Sequence, residues 1–584
     1  MCGITTIAGS TFDKNRYRTN AMLNELEHRG PDGTGECVFP QCWLGNQRLA
    51  IVDLKKGNQP MSNGKLAITF NGEIYNYREL RVQLAKDGYN FQTDSDTETI
   101  LIAYRKWGYD CPKKLDGIFS FAIWDDERKE LFVARDRLGK KPLYYFLDSG
   151  TILLASEIKS ILASGVVKPL LDCKAIDNYL RLMYIPPWKS VYGNIYQVPP
   201  AHCGIFKDGK LKLKRYWEIS YHPINIPYQE AKAEVRRIII NAVKKRISAS
   251  DVEVGILISG GIDSSLIALI AANELGYPLK AFSVNYDGLD ELPFAQQVCQ
   301  KTGSKHFITH IDNCLVGELD KVIAYFDEPH ADTSDFPQHL LSQLTAKEVK
   351  VALSGDGADE LFLGYKWHVA GKIPKQENTD APADLFYERL NSVCAFPPSL
   401  RLALWNSPTM LNDDIAAEGI YENIINPIEK VMLFDLTSHL PGQILSKIDR
   451  AGMMHGLEIR SPFLDIDLVD FVYNLPYEYK VCNGVQKYIL RDILSDYMPP
   501  DFTRRNKQGF GAPIEIWLNN AVTKEYVYDN LGSCAKIRSI FSGKGIDECL
   551  GGFYVNERRH ERAAQRLWVL LCLERWMVKL KEIL

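Results

Sequence analysis

The apolar positions at 254–258, VGILI, run unbroken except for Gly255 and predict a buried strand. The turn Ser259-Gly260-Gly261 follows, and Asp263-Ser264-Ser265 then open an apolar helical stretch, LIALIAANELG. Downstream, strand-like runs over 280–286, 306–311 and 349–353 alternate with helical patterns, and an amphipathic helix starting at Gln229 leads into the central strand. That alternation predicts a parallel sheet with helices on both faces, and such sheets bind ligands at the carboxyl ends of their strands. The final stretch, 558–584, carries Leu, Val and Trp at helical spacing and predicts a packing helix.

The first third of the chain reads differently. Over 117–146 strand-like runs are broken by Asp/Gly turns, the pattern of hairpins in a sheet layer, and Asn71-Gly72 between two apolar-aromatic runs reads as a hairpin turn. Helices are expected over 18–27 and 97–106, with Asp96 as a cap of the second. The pattern alone makes this a mixed α/β domain. Pro, Lys and turn residues crowd 199–228, which marks the domain boundary.

A chain of 584 residues is long enough for at least two domains. With 46% hydrophobic and 24% charged residues it has the composition of an ordinary soluble protein. A formal net charge of −4 gives no reason to expect nucleic acid or an acidic membrane surface as partner. Thirteen cysteines are scattered without a CxxC pair or metal-ligand spacing, as expected of buried thiols in a reducing compartment. Met-Cys-Gly at the start carries no basic or apolar leader pattern, and Asp263 with its serines interrupts the one long apolar run, so the expectation is a cytoplasmic protein without a membrane span.

The candidate chemistry starts at the central loop. Strand, Gly-rich turn and helix start together form a phosphate site, in which Gly260 and Gly261 free the backbone N–H groups and the helix dipole adds positive charge. Asp263 is an acid where phosphate binds, which makes sense with a divalent metal between them. No G-K-[ST] follows the glycines. The loop resembles the SGGxDS loop of the ATP pyrophosphatase family, whose members adenylate a substrate and release pyrophosphate.

Cys2 is the second landmark. Removal of Met1 leaves its α-amine, with an ordinary pKa near ~8, as the base for its own thiol. MCGITTIAG, HRGPDGTG (28–35), RLAIVD (48–53), FNGEIYN (70–76) and SDTE (95–98) follow one another. Together they resemble the N-terminal-nucleophile glutamine amidotransferase domain over residues 2 to about 157. The resemblance implies an αββα sandwich, with an oxyanion hole made by the Asn71 side-chain amide and the Gly72 N–H. It also implies glutamine recognition by Arg48, Leu49, Ala50, Ile51, Val52, Glu73 and Asp96. Arg48 suits the α-carboxylate and Asp96 the α-ammonium group. ARDRLGKKPLYY (134–145) also matches and is expected at the rear of the domain, its basic residues structural.

SGDGADELFLGY (354–365) begins where the strand at 349–353 ends and crowds Asp356, Asp359 and Glu360 into one turn. Together with DEPHADTSDFP (327–337), SKIDRAGMMHGLEIRSPFLD (446–465) and KYILRDIL (487–494), it resembles the synthetase domain of asparagine synthetases. Many members carry Glu where this chain has Asp356, one methylene shorter. The resemblance implies ATP binding by Leu257, Ile258, Ser259, Gly260, Gly261, Asp263, Ser264, Val284, Ser354 and Gly355, with Mg²⁺ near Asp263 and Asp359. Lys487 would stabilise charge on the activated acyl group, and Lys507 would contact pyrophosphate.

The expected domains are a glutaminase at 2–213 and a synthetase at 226–584. The expected reaction takes glutamine, ATP and aspartate to asparagine, glutamate, AMP and pyrophosphate. A sugar acid or other carboxylate as acceptor is the alternative, and a non-catalytic glutamine or nucleotide sensor is a further one. Oligomeric state is not legible in the pattern; a homodimer is carried as the working assembly.

Overall fold

The computed structural model describes residues 2–286, 291–311, 316–369, 386, 389–390, 394–406, 421, 424, 426–505, 510–555 and 562–583. Lys507 lies outside them.

Two six-stranded antiparallel sheets form the first domain. One contains β1 (Cys2–Gly9), β2 (Gly33–Phe39), β3 (Cys42–Arg48), β8 (Tyr144–Asp148), β9 (Thr151–Ala155) and β10 (Tyr196–Gln197), in the order β10-β8-β9-β1-β3-β2. The other contains β4 (Met61–Asn63), β5 (Leu66–Ile74), β6 (Gly117–Asp125), β7 (Glu130–Arg135), β11 (His202–Lys207) and β12 (Lys210–Arg215), in the order β12-β11-β7-β6-β5-β4. Side chains alternate along each strand, so each sheet has two apolar faces to cover. Ile4, Leu44 and Leu154 of the first sheet meet Ala122, Trp124 and Val133 of the second between the layers. Ile7, Trp43 and Leu153 point the other way, into a helical layer that includes Met22 and Leu23 of α1 (Thr19–Asn24). On the outer face of the second sheet, Phe121, Ile123 and Phe132 pack with α2 (Tyr77–Lys86) and α3 (Asp96–Trp107) through Leu80, Leu84, Ile100 and Leu101. The αββα sandwich is there.

Three local expectations need correction. Asn71 and Gly72 are not a turn: β5 runs straight through them, paired with Ser120 and Phe119 of β6. A Cβ on Gly72 would collide with the Ile118 carbonyl, so close approach explains the glycine. The cap of α3 is Ser95, which accepts from the Glu98 N–H at 3.2 Å; Asp96 is already helical. Finally, α1 stops at Asn24, and Glu27–Arg29 forms a separate 3₁₀ turn.

Residues 216–227 hold no helix or strand, and we place the domain boundary there. Beyond it, α4 (Tyr228–Ser248) leads to a parallel sheet of β13 (Val254–Leu257), β14 (Lys280–Asn285), β15 (His306–His310), β16 (Val351–Leu353) and β17 (Glu458–Arg460). Its order is β15-β14-β13-β16-β17. The chain winds outward from β13 in one direction and then crosses to β16 on the other side. Strand order reverses between β13 and β16, and a crevice opens at their carboxyl ends. The fifth strand, β17, went unread because Glu-Ile-Arg carries two charged residues in three positions, and both are buried. The closing helix α8 (Ala563–Ile583) buries Leu567, Trp568 and Leu571 among side chains such as Phe336 and Trp517, as a packing helix should.

Candidate active sites

The first site gathers at the end of β1. Cys2 is buried, and its backbone N–H donates to Asn71 Oδ1 at 3.2 Å. With the oxygen end of the amide thus engaged, Asn71 Nδ2 is left buried without a hydrogen-bond partner. A buried donor without an acceptor costs about 1–3 kcal/mol, and a developing oxyanion beside Cys2 would satisfy it. Gln59, which the sequence reading missed, places Nε2 3.7 Å from Cys2 Sγ and is itself held by the Phe70 N–H at 2.7 Å. Arg29, also unassigned, donates to the Cys2 carbonyl at 3.4 Å.

Around this centre the loop after β3 carries Leu49, Ala50, Ile51 and Val52. Ala50 N–H donates to Asp32, and the Ile51 carbonyl accepts from Asp251 of the second domain. Arg48 stands at the start of this loop. Its terminal nitrogens donate to the carbonyls of Val52, Asp53 and Leu54 and to Asn58 Oδ1, so it shapes the loop. Glu73 and Asp96 are both buried, and Asp96 Oδ2 accepts from the Ile74 N–H at 3.1 Å. Burial pushes Asp96 up to about 6, and burial together with Asp96 pushes Glu73 well above the usual range. Arg460 of β17 meets Glu73 Oε2 at 2.9 Å.

The second site fills the crevice between β13 and β16, a cavity of about 600 Å³. Leu257, Ile258, Ser259, Gly261, Asp263, Ser264, Val284, Ser354 and Gly355 all line it. α5 (Ile262–Asn273) begins there with Gly261 as its cap and no side-chain cap bond, leaving its first N–H groups for an anion. The left-handed Gly260 (φ +80°) makes the turn, and its carbonyl accepts from Arg505, a basic side chain that the sequence reading did not single out. Gly260 itself does not line the cavity; it packs on Glu291 and Ala295.

The acidic turn after β16 is not a solvated cap. Its acids diverge. Glu360 is buried and accepts from Tyr365 Oη at 2.5 Å; burial pushes its carboxyl up to about 7. Asp356 lines the cavity. Asp359 turns to Lys487, which also binds Asp263: Lys487 Nζ lies 2.6 Å from Asp359 Oδ1 and 2.5 Å from Asp263 Oδ2. Lys487 is no surface lysine; it is buried, left-handed (φ +52°), and caps α7 (Tyr488–Ser495). Burial would lower its pKa, but the two acids hold it above the usual range. The two carboxylates therefore converge on one cationic point. No cluster of three metal-type ligands occurs among the described residues. Two carboxylates with phosphate oxygens nearby is nevertheless a set that Mg²⁺ accepts.

Further residues of the cavity wall came unannounced. Lys447, on α6 (Leu445–Met453), bonds Asp332 at 3.1 Å and Ser334 Oγ at 2.7 Å. Tyr365 and Trp367 stack with ring centroids 4.3 Å apart, and His439 meets Tyr365 edge-on.

A charged interior lies between the two domains. Lys140 and Lys141 face the second domain rather than the rear: Lys141 pairs with Asp449 at 3.0 Å, and Lys140 Nζ donates to Ser461 Oγ at 2.6 Å. Arg29 bridges Glu157 (2.7 Å) and Asp449 (2.9 Å), and Arg450 bridges Glu157 (2.8 Å) and Asp327 (3.1 Å). Burial would raise Glu157, but Lys159, His28, Arg450 and Arg29 hold it well below the usual range.

Residues 1–217 match the model of the glutamine amidotransferase domain, and residues 234–578 match that of asparagine synthase. The chain belongs to the asparagine synthase family. Within that family, glutamine-hydrolyzing asparagine synthetase 1 of Bacillus subtilis is 31% identical over 99% of this chain and 96% of its own. A putative asparagine synthetase of Methanocaldococcus jannaschii is 33% identical over 78% of this chain and 98% of its own. Similarity to this asparagine synthase chain extends to amidase chyE of Penicillium rubens, 27% identical over 91% of this chain and 93% of its own. Among solved structures, a glutamine phosphoribosylpyrophosphate amidotransferase of Bacillus subtilis matches at 21% identity and a TM-score of 0.30, covering 48% of this chain and 65% of that one.

Proposed function

We propose that the protein is a glutamine-hydrolysing asparagine synthetase. The observation that carries the reading is the pairing, in one asparagine synthase chain, of a buried Cys2 facing an unpartnered Asn71 amide with an anion-ready loop beside two converging acids. Cys2 Sγ attacks the glutamine amide carbon, and its own α-amine takes the thiol proton and returns it to the departing ammonia. Asn71 Nδ2 and the Gly72 N–H hold the oxyanion; water then releases glutamate from the thioester. Arg48 keeps the loop of Leu49 to Val52 in shape around the substrate, while Glu73 and Asp96 take its ammonium group.

In the second site, the loop from Ser259 to Ser264 and the α5 N-terminus hold the phosphates of ATP, with Val284, Ser354 and Gly355 along its wall. Mg²⁺, held by Asp263 and Asp359, would neutralise phosphate charge when bound. Lys487 supplies positive charge at the same point. The acceptor carboxylate displaces pyrophosphate to give the acyl-adenylate. Ammonia then attacks the acyl carbon, Asp356 takes a proton, and AMP leaves with the amide formed.

The stacked Tyr365 and Trp367 favour a second reading of the acceptor alone, a carboxylate with a larger apolar or sugar-ring face. Pyrophosphate release measured with ATP, glutamine and a panel of aspartate, glutamate and uronic acids decides between them. Aspartate dependence is expected; dependence on a uronic acid instead replaces aspartate, and silence throughout overturns the enzyme.

A further inference from the structure

Arg460 touches both sites with different atoms. Its Nη2 meets Glu73 of the glutaminase pocket at 2.9 Å, and its backbone carbonyl accepts from the Ser354 N–H at 2.8 Å, where the acidic turn of the synthetase site begins. Its other two nitrogens are engaged as well: Nε binds Glu458 at 2.5 Å, and Nη1 binds the carbonyls of Arg246 (2.7 Å) and Ala249 (2.9 Å). The next residue repeats the pattern, for Ser461 Oγ lies 3.2 Å from Ser354 Oγ and accepts from Lys140 of the first domain. All these side chains are buried, so the links act in a low dielectric, where removing or adding one charge is strongly felt.

A domain clamp alone needs no contact with a substrate-binding acid. Glu73, however, stands beside Asp96, and its second oxygen, Oε1, is buried without a hydrogen-bond partner. An ammonium group docking on this pair changes the charge that Arg460 faces. Arg460 holds Glu73 in one domain and Glu458 on its own strand at the same time, and its backbone carbonyl anchors the Ser354 N–H, so a changed charge at Glu73 acts on the residue that also holds the start of the acidic turn.

We propose that Arg460 is a positioning residue that couples the two centres, passing occupancy of the glutamine pocket through β17 to the acidic turn. The proposal rests on the reading that glutamine places its ammonium on Glu73 and Asp96. Coupling is reciprocal: whatever factor glutamine imposes on the nucleotide site, the nucleotide imposes on glutamine.

The test is calorimetric titration of full-length Cys2→Ala protein, which binds glutamine without consuming it. Glutamine is titrated with and without Mg²⁺ and α,β-methylene-ATP, and the nucleotide with and without glutamine. We expect the two dissociation constants to shift by the same factor, about fivefold or more. Adding Arg460→Lys removes the fork that serves Glu73 and Glu458 together and should bring the factor to one while each ligand still binds. Unchanged constants in the Cys2→Ala protein overturn the coupling but leave the proposed function standing. Failure to bind glutamine at all overturns the underlying reading instead. A factor that survives Arg460→Lys removes Arg460 from the role. If that variant does not fold, Glu458→Gln loosens Arg460 Nε from its own strand without touching either pocket, and a factor surviving unchanged there refutes the proposal equally.

Discussion

Replacing Asn71 by alanine separates what this residue does for catalysis from what it does for stability. In the resting structure it makes one bond, from the Cys2 N–H at 3.2 Å, and leaves Nδ2 buried and unsatisfied. Losing the bond costs about 1 kcal/mol, while losing an orphaned donor returns about 1–3 kcal/mol. The two offset each other, so Asn71→Ala should unfold at nearly the parental temperature. In the transition state of glutamine attack the same Nδ2 finds its oxyanion, and removing such a donor lowers kcat by about 10²–10³-fold, or about 2.7–4 kcal/mol. Ammonia bypasses Cys2, so product formation from ammonium salts should be unchanged. The assay is product formation with glutamine and with ammonium in parallel, beside a thermal melt. A variant that loses both activities equally, or that melts far below the parent, would show that Asn71 is a structural strand residue and that its free amide is not aimed at substrate.

Asp263→Asn should suppress pyrophosphate release with either nitrogen source while glutaminase activity persists; parental rates across a magnesium titration would remove Asp263 from the phosphate site. Asp356→Asn keeps size and removes charge, and should stop amide formation without touching Cys2. Pyrophosphate–ATP isotope exchange then tells ammonia attack (exchange kept) from adenylation (exchange lost), and unimpaired synthesis would show a mere helix cap. Burial raises Asp96 to about 6, so the glutamine KM should climb as pH falls below that value, with a limb that Asp96→Asn abolishes. The stability sign is opposite: a raised carboxylate favours the folded state most below its unfolded pKa of about 4, and that contribution is lost as pH rises through about 6, to be read from melts of both proteins.

What was legible in the sequence was local. Strand, Gly turn and helix at 254–265 follow from apolar runs and backbone freedom, which are properties of neighbouring residues. The αββα sandwich and the site residues came through the family resemblance, since periodicity alone gave only a mixed domain. Gln59 is 57 positions from Cys2 and Arg460 is 387 from Glu73; no pattern along the chain links them. The same limit explains β17, whose charged residues give no strand pattern because their partners come from elsewhere in the fold. Asn-Gly at 71–72 is the opposite error: a strong local turn signal overridden by strand pairing on β6.

The buried charges between the domains bear on how such enzymes can be recombined. Glu157 belongs to one half and Arg450 to the other, and so do Lys141 and Asp449. Cut apart, each half would present ions that were folded to meet a partner and not water, and a foreign half would have to bring the matching ions at matching places. Exchange of a glutaminase between two relatives is therefore constrained less by the chemistry at Cys2 than by a handful of carboxylates and guanidinium groups behind it.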